Sequence, residues 1–327
     1  MRKVVFLPCS PNMWDGFETL WDKETSDLST QVTVIPVPSY SKKHDGTLTD
    51  NHYDLSGYPE NVTITGVNDY DLAKEHPDTI YVQNIQDSDN PGFTVHPEFY
   101  TDKLRSYTDD LVYVPYNCFP EIDPGYEYLV KNYMPILCTK GIFNADRIIV
   151  QSENTKNVYL RLLDAKGKPL DVWNKKISFE EYPRKEILKK YTRETVNFPV
   201  EWDRHLFGAD DYQKDTVLFV TSIMGVLEFG RDNLLTAKAV FDEFLEKKNE
   251  NALIWRPHKS LPEVIARLRP ELFDDFRALL EFYLYNDVGI FDETPSPTPA
   301  ILISDYYYGD ECGIKELFKS TGKPILQ

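Results

Sequence analysis

The strongest constraint in this chain is a rhythm of short apolar runs, each ended by polar or proline residues and separated by stretches long enough for helices. The first series reads "KVVFLPC", "QVTVIPV", "TIYVQN" (79–84), "LVYVPY" (111–116) and "RIIVQS" (147–152). Unbroken apolar runs of this length suit strands buried on both faces, as in parallel sheets covered by helices. The terminating Pro, Asn, Gln and Ser stop pairing and present polar groups at the sheet edge. A second series begins at "TVLFVTS" (216–222), continues through "ALIWRP" (252–257) and "VGIFDE", and adds "AILISD" and "PILQ" as a fourth and fifth strand. The helix predicted over 232–249 places Leu234, Ala237, Phe241, Phe244 and Leu245 on one face. Early in the chain, Trp14, Phe17 and Trp21 read as core at helical spacing.

Two such series predict an α/β protein with two Rossmann-like, doubly wound parallel-sheet domains. The expected division is 1–205 and 215–327, with the polar stretch "DRHLFGADDYQKD" near 204–215 as linker. A length of 327 residues fits two domains of ordinary size, and 41% hydrophobic residues suffice for packed cores. Residues 38–67 break the pattern with a Tyr-, Asp-, Gly- and Ser-rich insertion, whose length predicts either a role in the cleft or short strands of its own.

The formal net charge is −17 and neither half is basic, which argues against nucleic acid and against strong binding to anionic membranes. The apolar run after Met1-Arg2-Lys3 is too short for a signal peptide, so the chain is expected to be cytoplasmic. Four widely spaced cysteines fit neither a zinc ribbon nor a redox pair.

Residues 301–318, "ILISDYYYGDECGIKELF", pose the sharpest question about function. Ile301-Leu302-Ile303 reads as a strand, Ser304-Asp305 as its carboxyl end, and Ile314, Leu317 and Phe318 as the apolar face of the next helix. In an open parallel sheet, ligands bind outside the carboxyl ends of the strands, so this turn is a candidate phosphate site. On the same reasoning Arg256 and His258, in "WRPHKS", are expected at the same edge, where either can neutralise a diphosphate. Ser10, Asn84, Asn117 and Ser222 follow other strands and are further cleft candidates. His96 and His205 are general bases by residue type alone, though a structural or surface role suits each at least as well. Asp87-Ser88-Asp89 has the spacing of a metal-diphosphate motif, as has Asp69-Tyr70-Asp71, but such triplets are common in acidic chains and no metal site is assigned. Neither G-x-G-x-x-G nor a P-loop is present, which disfavours dehydrogenases and P-loop NTPases.

Taken together, "LIWRPHKSLPEVIARLRPEL" and "ILISDYYYGDECGIKELFKSTGKPIL" resemble the CDP-glycerol glycerophosphotransferase family, which builds teichoic-acid-type polymers. The match covers roughly the last 110 residues, and "KVVFLPCSPNMWDGFETLW" and "VYVPYNCFPEI" look like the amino-terminal half of cytosolic relatives. The resemblance implies a GT-B fold, in which two Rossmann-like domains face a cleft. It also implies transfer of glycerol phosphate from CDP-glycerol, or another nucleotide-activated donor, to a polyol-phosphate or glycan acceptor. No cofactor is implied, and a need for Mg²⁺ is unproven. Residue by residue, His258 matches the histidine of the family's Arg-Pro-His element. Ser304, Asp305 and Tyr306 match the start of its Ser-Asp-Tyr element. The turn Gly309-Asp310-Glu311-Cys312-Gly313 is then expected to hold donor phosphates, with Gly309, Cys312 and Gly313 among the contacts, although the family's hydroxyl pair is missing.

A second departure is that Asn117 and Cys118 stand where the family has its catalytic histidine, so His96 or Glu121 would have to supply the base. The chain ends at "GKPILQ", ahead of the closing helices of that arrangement, so a shortened second domain is expected. Two other readings stay open: a nucleotide-sugar glycosyltransferase of the same fold, and a non-catalytic nucleotide-binding or scaffold module.

Overall fold

The structure is a computed structural model describing all residues except His44, Asp89, Pro91, Ala209, Asp210 and Gln327. The chain divides into two compact units, Met1–Asn117 with Glu121–Ile187, and Cys118–Pro120 with Leu188–Gln327. The division falls at 187/188 rather than near 205. Residues 188–206 count with the second unit, where Arg193 pairs with Asp305, and the expected linker carries the helix Asp203–Leu206 and a bridge between Phe207 and Gln213.

In the first unit the strands are β1 (Arg2–Leu7), β2 (Thr30–Val34), β3 (Ser39–Lys42), β4 (Leu48–His52), β5 (Thr79–Val82), β6 (Phe93–Val95), β7 (Asp110–Tyr113), β8 (Arg147–Ile149) and β9 (Ile177–Ser178). Six of them form a parallel sheet in the order β2-β1-β5-β7-β8-β9. Val4, Val5, Ile80 and Leu111 at its centre are fully buried, as an unbroken apolar run requires when helices cover both faces. Phe6 stacks on Tyr81 with centroids 4.6 Å apart, and Trp14 and Phe17 are buried beside them. Within 38–67 lie β3 and β4, which join β6 in an antiparallel sheet of order β4-β3-β6.

The second unit holds β10 (Asp215–Thr221), β11 (Asn251–Pro257), β12 (Ile290–Phe291) and β13 (Tyr306–Gly309), all parallel, in the order β12-β11-β10-β13. Its core centres on Trp255, which packs edge-on to Phe241 at 4.7 Å and donates its indole N–H to Thr221 Oγ1 at 3.0 Å. The helix Arg231–Glu246 buries Leu234, Ala237 and Phe241, the face its periodicity predicts.

The sequence expectation fails at 301–303. Residues Thr298–Ile303 form a helix, with Pro299 near its start and Ile301 N–H donating to Pro297 O at 2.9 Å. Because Ile301, Leu302 and Ile303 are all buried, no polar position betrays the helical period, and a short apolar run then reads equally well as a strand. The strand is the tyrosine run that follows. Tyr307 is fully buried, while Tyr306 and Tyr308 pack against the edge of the core. Among the described residues of "PILQ", Ile325 makes a bridge to Tyr307 and no fifth strand forms. Among the described residues, no helix is long and apolar enough to cross a membrane.

Candidate functional site

In the second unit the chain steps from β10 to β11 to β12 in one direction and returns with β13 on the other side of β10. That reversal is a topological switch point, and the crevice it opens lies at the carboxyl ends of β10 and β13. Register fixes what stands there. Val220 pairs with Gly309 and Thr221 with Pro257, so Ser222, Asp310 and His258 follow their strands at one edge.

Ser222 caps the helix Ile223–Phe229, its Oγ accepting from Gly225 N at 2.9 Å. Asp310 closes the crevice opposite. Its Oδ2 accepts from Ser222 N at 2.6 Å and its Oδ1 from Asn233 Nδ2 at 2.8 Å. A Cβ at Gly225 would lie 2.0 Å from that Oδ2, so glycine is what lets the carboxylate lie against the backbone. The turn is fixed from below, with Asp310 N donating to Val220 O at 3.1 Å and Tyr307 OH donating to Asp310 O at 2.6 Å. Gly309 has φ +128°, and a Cβ there would meet Val220 O at 2.4 Å.

At the next helix, Gly313–Lys319, a Cβ on Gly313 would lie 2.2 Å from Cys118 O, so the Cys118–Pro120 segment covers its start. The Cys312 thiol lies 3.5 Å from Tyr307 OH. Burial pushes it up, against the opposing pull of that hydroxyl and the N–H groups of Lys315 and Ile314. Glu311 adds a second carboxylate to the turn and pairs with Lys315.

His258 is exposed beyond β11, its N–H donating to Thr221 O at 2.9 Å. Its Nδ1 accepts from Ser260 N at 3.2 Å, so the neutral ring carries its proton on Nε2. Although the residue is exposed, its ring is partly desolvated by the groups around it, which lowers its pKa, and the neighbouring Lys259 and Arg256 cations lower it further. Arg256 is not aimed at the crevice. Its guanidinium donates to Asp292 Oδ2 at 2.6 Å, Thr294 Oγ1 at 3.1 Å and Thr294 O at 2.8 Å, and is neutralised by a fully buried carboxylate.

The shifted strand moves Ser304, Asp305 and Tyr306 to the opposite, amino edge of the sheet, away from His258. Tyr306 opens β13 opposite Val217. Asp305 Oδ2 accepts from Thr216 N at 2.9 Å and Oδ1 from Arg193 at 2.9 Å. Buried Ser304 caps the helix Thr298–Ile303, and its carbonyl accepts from Lys323 Nζ at 2.7 Å. Of the sequence candidates, the structure therefore groups Ser222, His258, Gly309, Cys312 and Gly313. It adds Asn233 and Gly225, which no motif marks, and gives Asp310, read in the sequence only as a member of the turn, the central place.

The first unit has its own switch point, between β1 and β5. Ser10 and Asn84 follow these strands, Ser10 Oγ accepting from Asn12 N at 3.3 Å and Asn84 Oδ1 from Gln86 N at 2.6 Å. Burial pushes the adjacent Cys9 thiol up to about 12, which makes it an inert core group. Below them Arg184 forms a buried pair with Asp15 at 3.5 Å and stacks over Tyr116 at 4.2 Å. Asn117 is exposed, and Glu121 accepts from Gln151 and Asn154.

His96 follows β6 of the antiparallel sheet and caps a short turn, its Nδ1 accepting from Glu98 N at 3.3 Å. Asp87 spends both oxygens on Thr101, at 3.0 and 2.6 Å, while Asp89 lies outside the described residues. Asp71 caps the helix Leu72–Glu75 through Lys74 N. Among the described residues, no group of three or more His, Cys, Asp or Glu side chains could hold a metal ion.

No protein-family model matches the chain, and no curated protein matches it. Solved structures do. A Staphylococcus aureus MnaA-UDP co-structure superposes with TM-score 0.55 at 13% identity, over 99% of this chain and 78% of the other. The fold is GT-B-like. A Methanocaldococcus jannaschii UDP-GlcNAc 2-epimerase in complex with UDP-GlcNAc and UDP gives 0.54 at 12% identity, over 99% and 83%. A variant of the wall teichoic acid polymerase TagF soaked with CDPG gives 0.52 at 11% identity, over 99% and 68%. At such identities the likeness carries the fold, and the chemistry has to be argued from the site.

Proposed function

We propose that this protein is a GT-B transferase that binds a nucleotide-activated donor at the carboxyl edge of its second sheet. The observation that carries the reading is His258, held beside the switch-point crevice with its neutral Nε2–H free to donate to a phosphate oxygen. A donor of this kind stabilises charge developing on a departing diphosphate, the main catalytic demand of such a displacement. Arg256 has a different role here. By clamping Asp292 and Thr294 it rigidifies the loop after β12, and with Lys259 it helps keep His258 neutral. The likeness to TagF with CDPG, together with the Arg256-Pro257-His258 stretch, favours CDP-glycerol as donor and a polyol-phosphate or glycan as acceptor. The UDP-bound neighbours favour a nucleotide-sugar donor on the same edge as the alternative.

The test is a thermal-shift panel of CDP-glycerol, CMP, UDP and UDP-GlcNAc, with and without Mg²⁺. A ligand at ~100 times its dissociation constant adds about 2.7 kcal/mol, a shift of several degrees. In His258→Ala the shift shrinks and turnover is lost while the fold persists. A panel that moves no midpoint overturns the reading. A second reading, a nucleotide-binding module without turnover, is favoured by Asn117 and Cys118 standing where the resembled family has its base. Binding without turnover of any donor in the panel would select it.

A further inference from the structure

We propose that Asp310 is the specificity-determining residue of the second unit's crevice, a tethered anion that keeps the ligand's phosphates out of the space between β10 and β13. The proposal rests on the reading that this edge binds a nucleotide, and it concerns which part of the nucleotide the crevice rejects. Three independent features hold the carboxylate in place.

First, it consumes the donors that a phosphate would use, Ser222 N–H at 2.6 Å and Asn233 Nδ2 at 2.8 Å. Second, it fills the volume. All three carboxyl atoms lie 2.0 to 2.6 Å from where a Cβ on Gly225 would stand, so the group occupies the hollow that this glycine leaves. Third, its backbone cannot swing away as a loop would. Asp310 N is bonded to Val220 O, Asp310 O accepts from Tyr307 OH, and the preceding Gly309 sits at φ +128° against β10.

The donors facing this carboxylate are neutral, a peptide N–H and a carboxamide, so its charge is not cancelled locally. The next residue, Glu311, spends its charge on Lys315, so the repulsion rests on Asp310 alone. A phosphate entering here would meet like charge at contact distance, with the donors it needs already taken. The crevice therefore admits neutral, donor-bearing parts of a ligand, and the phosphates are left to the His258 side of the edge.

The experiment compares wild type, Asp310→Ser and Asp310→Asn by calorimetric titration with cytidine, CDP, uridine and UDP. The quantity read is the ratio of nucleoside to nucleoside-diphosphate dissociation constants. Removing the carboxylate is expected to raise that ratio by about tenfold or more, chiefly by tightening nucleoside-diphosphate binding. Asp310→Asn keeps the shape of the group, so it carries the test if the serine variant does not fold. A folded variant with the wild-type ratio overturns the proposal and leaves the donor reading standing. If wild type and both variants bind none of the four compounds, the donor reading falls and this proposal falls with it.

Discussion

Strand β13 begins and ends beside an aspartate, and the two are used in opposite ways. Asp305 at the amino end and Asp310 at the carboxyl end each accept a backbone N–H of the β10 segment, from Thr216 near its start and from Ser222 just past its end. Together they clip the two strands at both ends. Asp305 is also paired with Arg193, so its charge is spent on holding the 188–206 segment to the sheet. Asp310 meets neutral donors and keeps its charge. The same side chain on the same strand is thus a structural clasp at one edge and an electrostatic filter at the other, and the local partners decide which.

The comparison can be broken most forcefully at Gly309. An alanine there would need φ near +128° and would press on the Val220 backbone, so Gly309→Ala should cost ~3 kcal/mol and tilt Asp310 out of the crevice. Urea unfolding measures it, and a variant as stable as wild type would mean that the turn is not under this constraint.

Asp305→Ala should cost less, about 2 kcal/mol, because it removes a charge-assisted bond and leaves Thr216 N–H without its acceptor in a site that is only partly exposed. Restoring stability in the Asp305→Ala/Arg193→Ala double variant would show that the unpaired guanidinium carries most of the loss. Strict additivity would assign it to Thr216.

The smallest effect is the pH dependence at the carboxyl edge. His258 is held below its ordinary value, so the folded chain favours the neutral ring. Its contribution is fully present above pH ~6.5 and is lost as pH falls through its lowered folded value, because the unfolded chain takes up the proton first. Thermal midpoints should therefore fall less steeply on acidification in His258→Ala than in wild type, and parallel curves would count against the lowered value.

Much of this was legible in the sequence. The alternation of apolar runs marked both parallel sheets, because residues such as Val4, Ile80 and Leu253 are buried on both sides and need no polar partner in sequence. It misled at Ile301-Leu302-Ile303 for the same reason, since a helix buried all round carries no period. That error moved Ser304 and Asp305 to the wrong edge. β9 was missed because two residues hold no pattern.

The site was half legible. His258 and Ser222 follow from standing after strands, but Asp310 was read only as part of a turn lacking hydroxyl donors. Its role depends on Asn233 and Gly225, which meet it only in the folded chain. Arg256 looked like a free cation because Asp292, its partner, lies 36 positions along the sequence.

The placement of Cys118–Pro120 with the second unit, although the chain on either side counts with the first, also constrains dissection of the molecule. No contiguous stretch of the sequence encodes the second unit whole. A gene fragment opening at Leu188 would leave a notch beside Gly313 where the Cys118 carbonyl belongs. Only a peptide supplied in trans, or a permuted chain that carries those three residues along, would restore it.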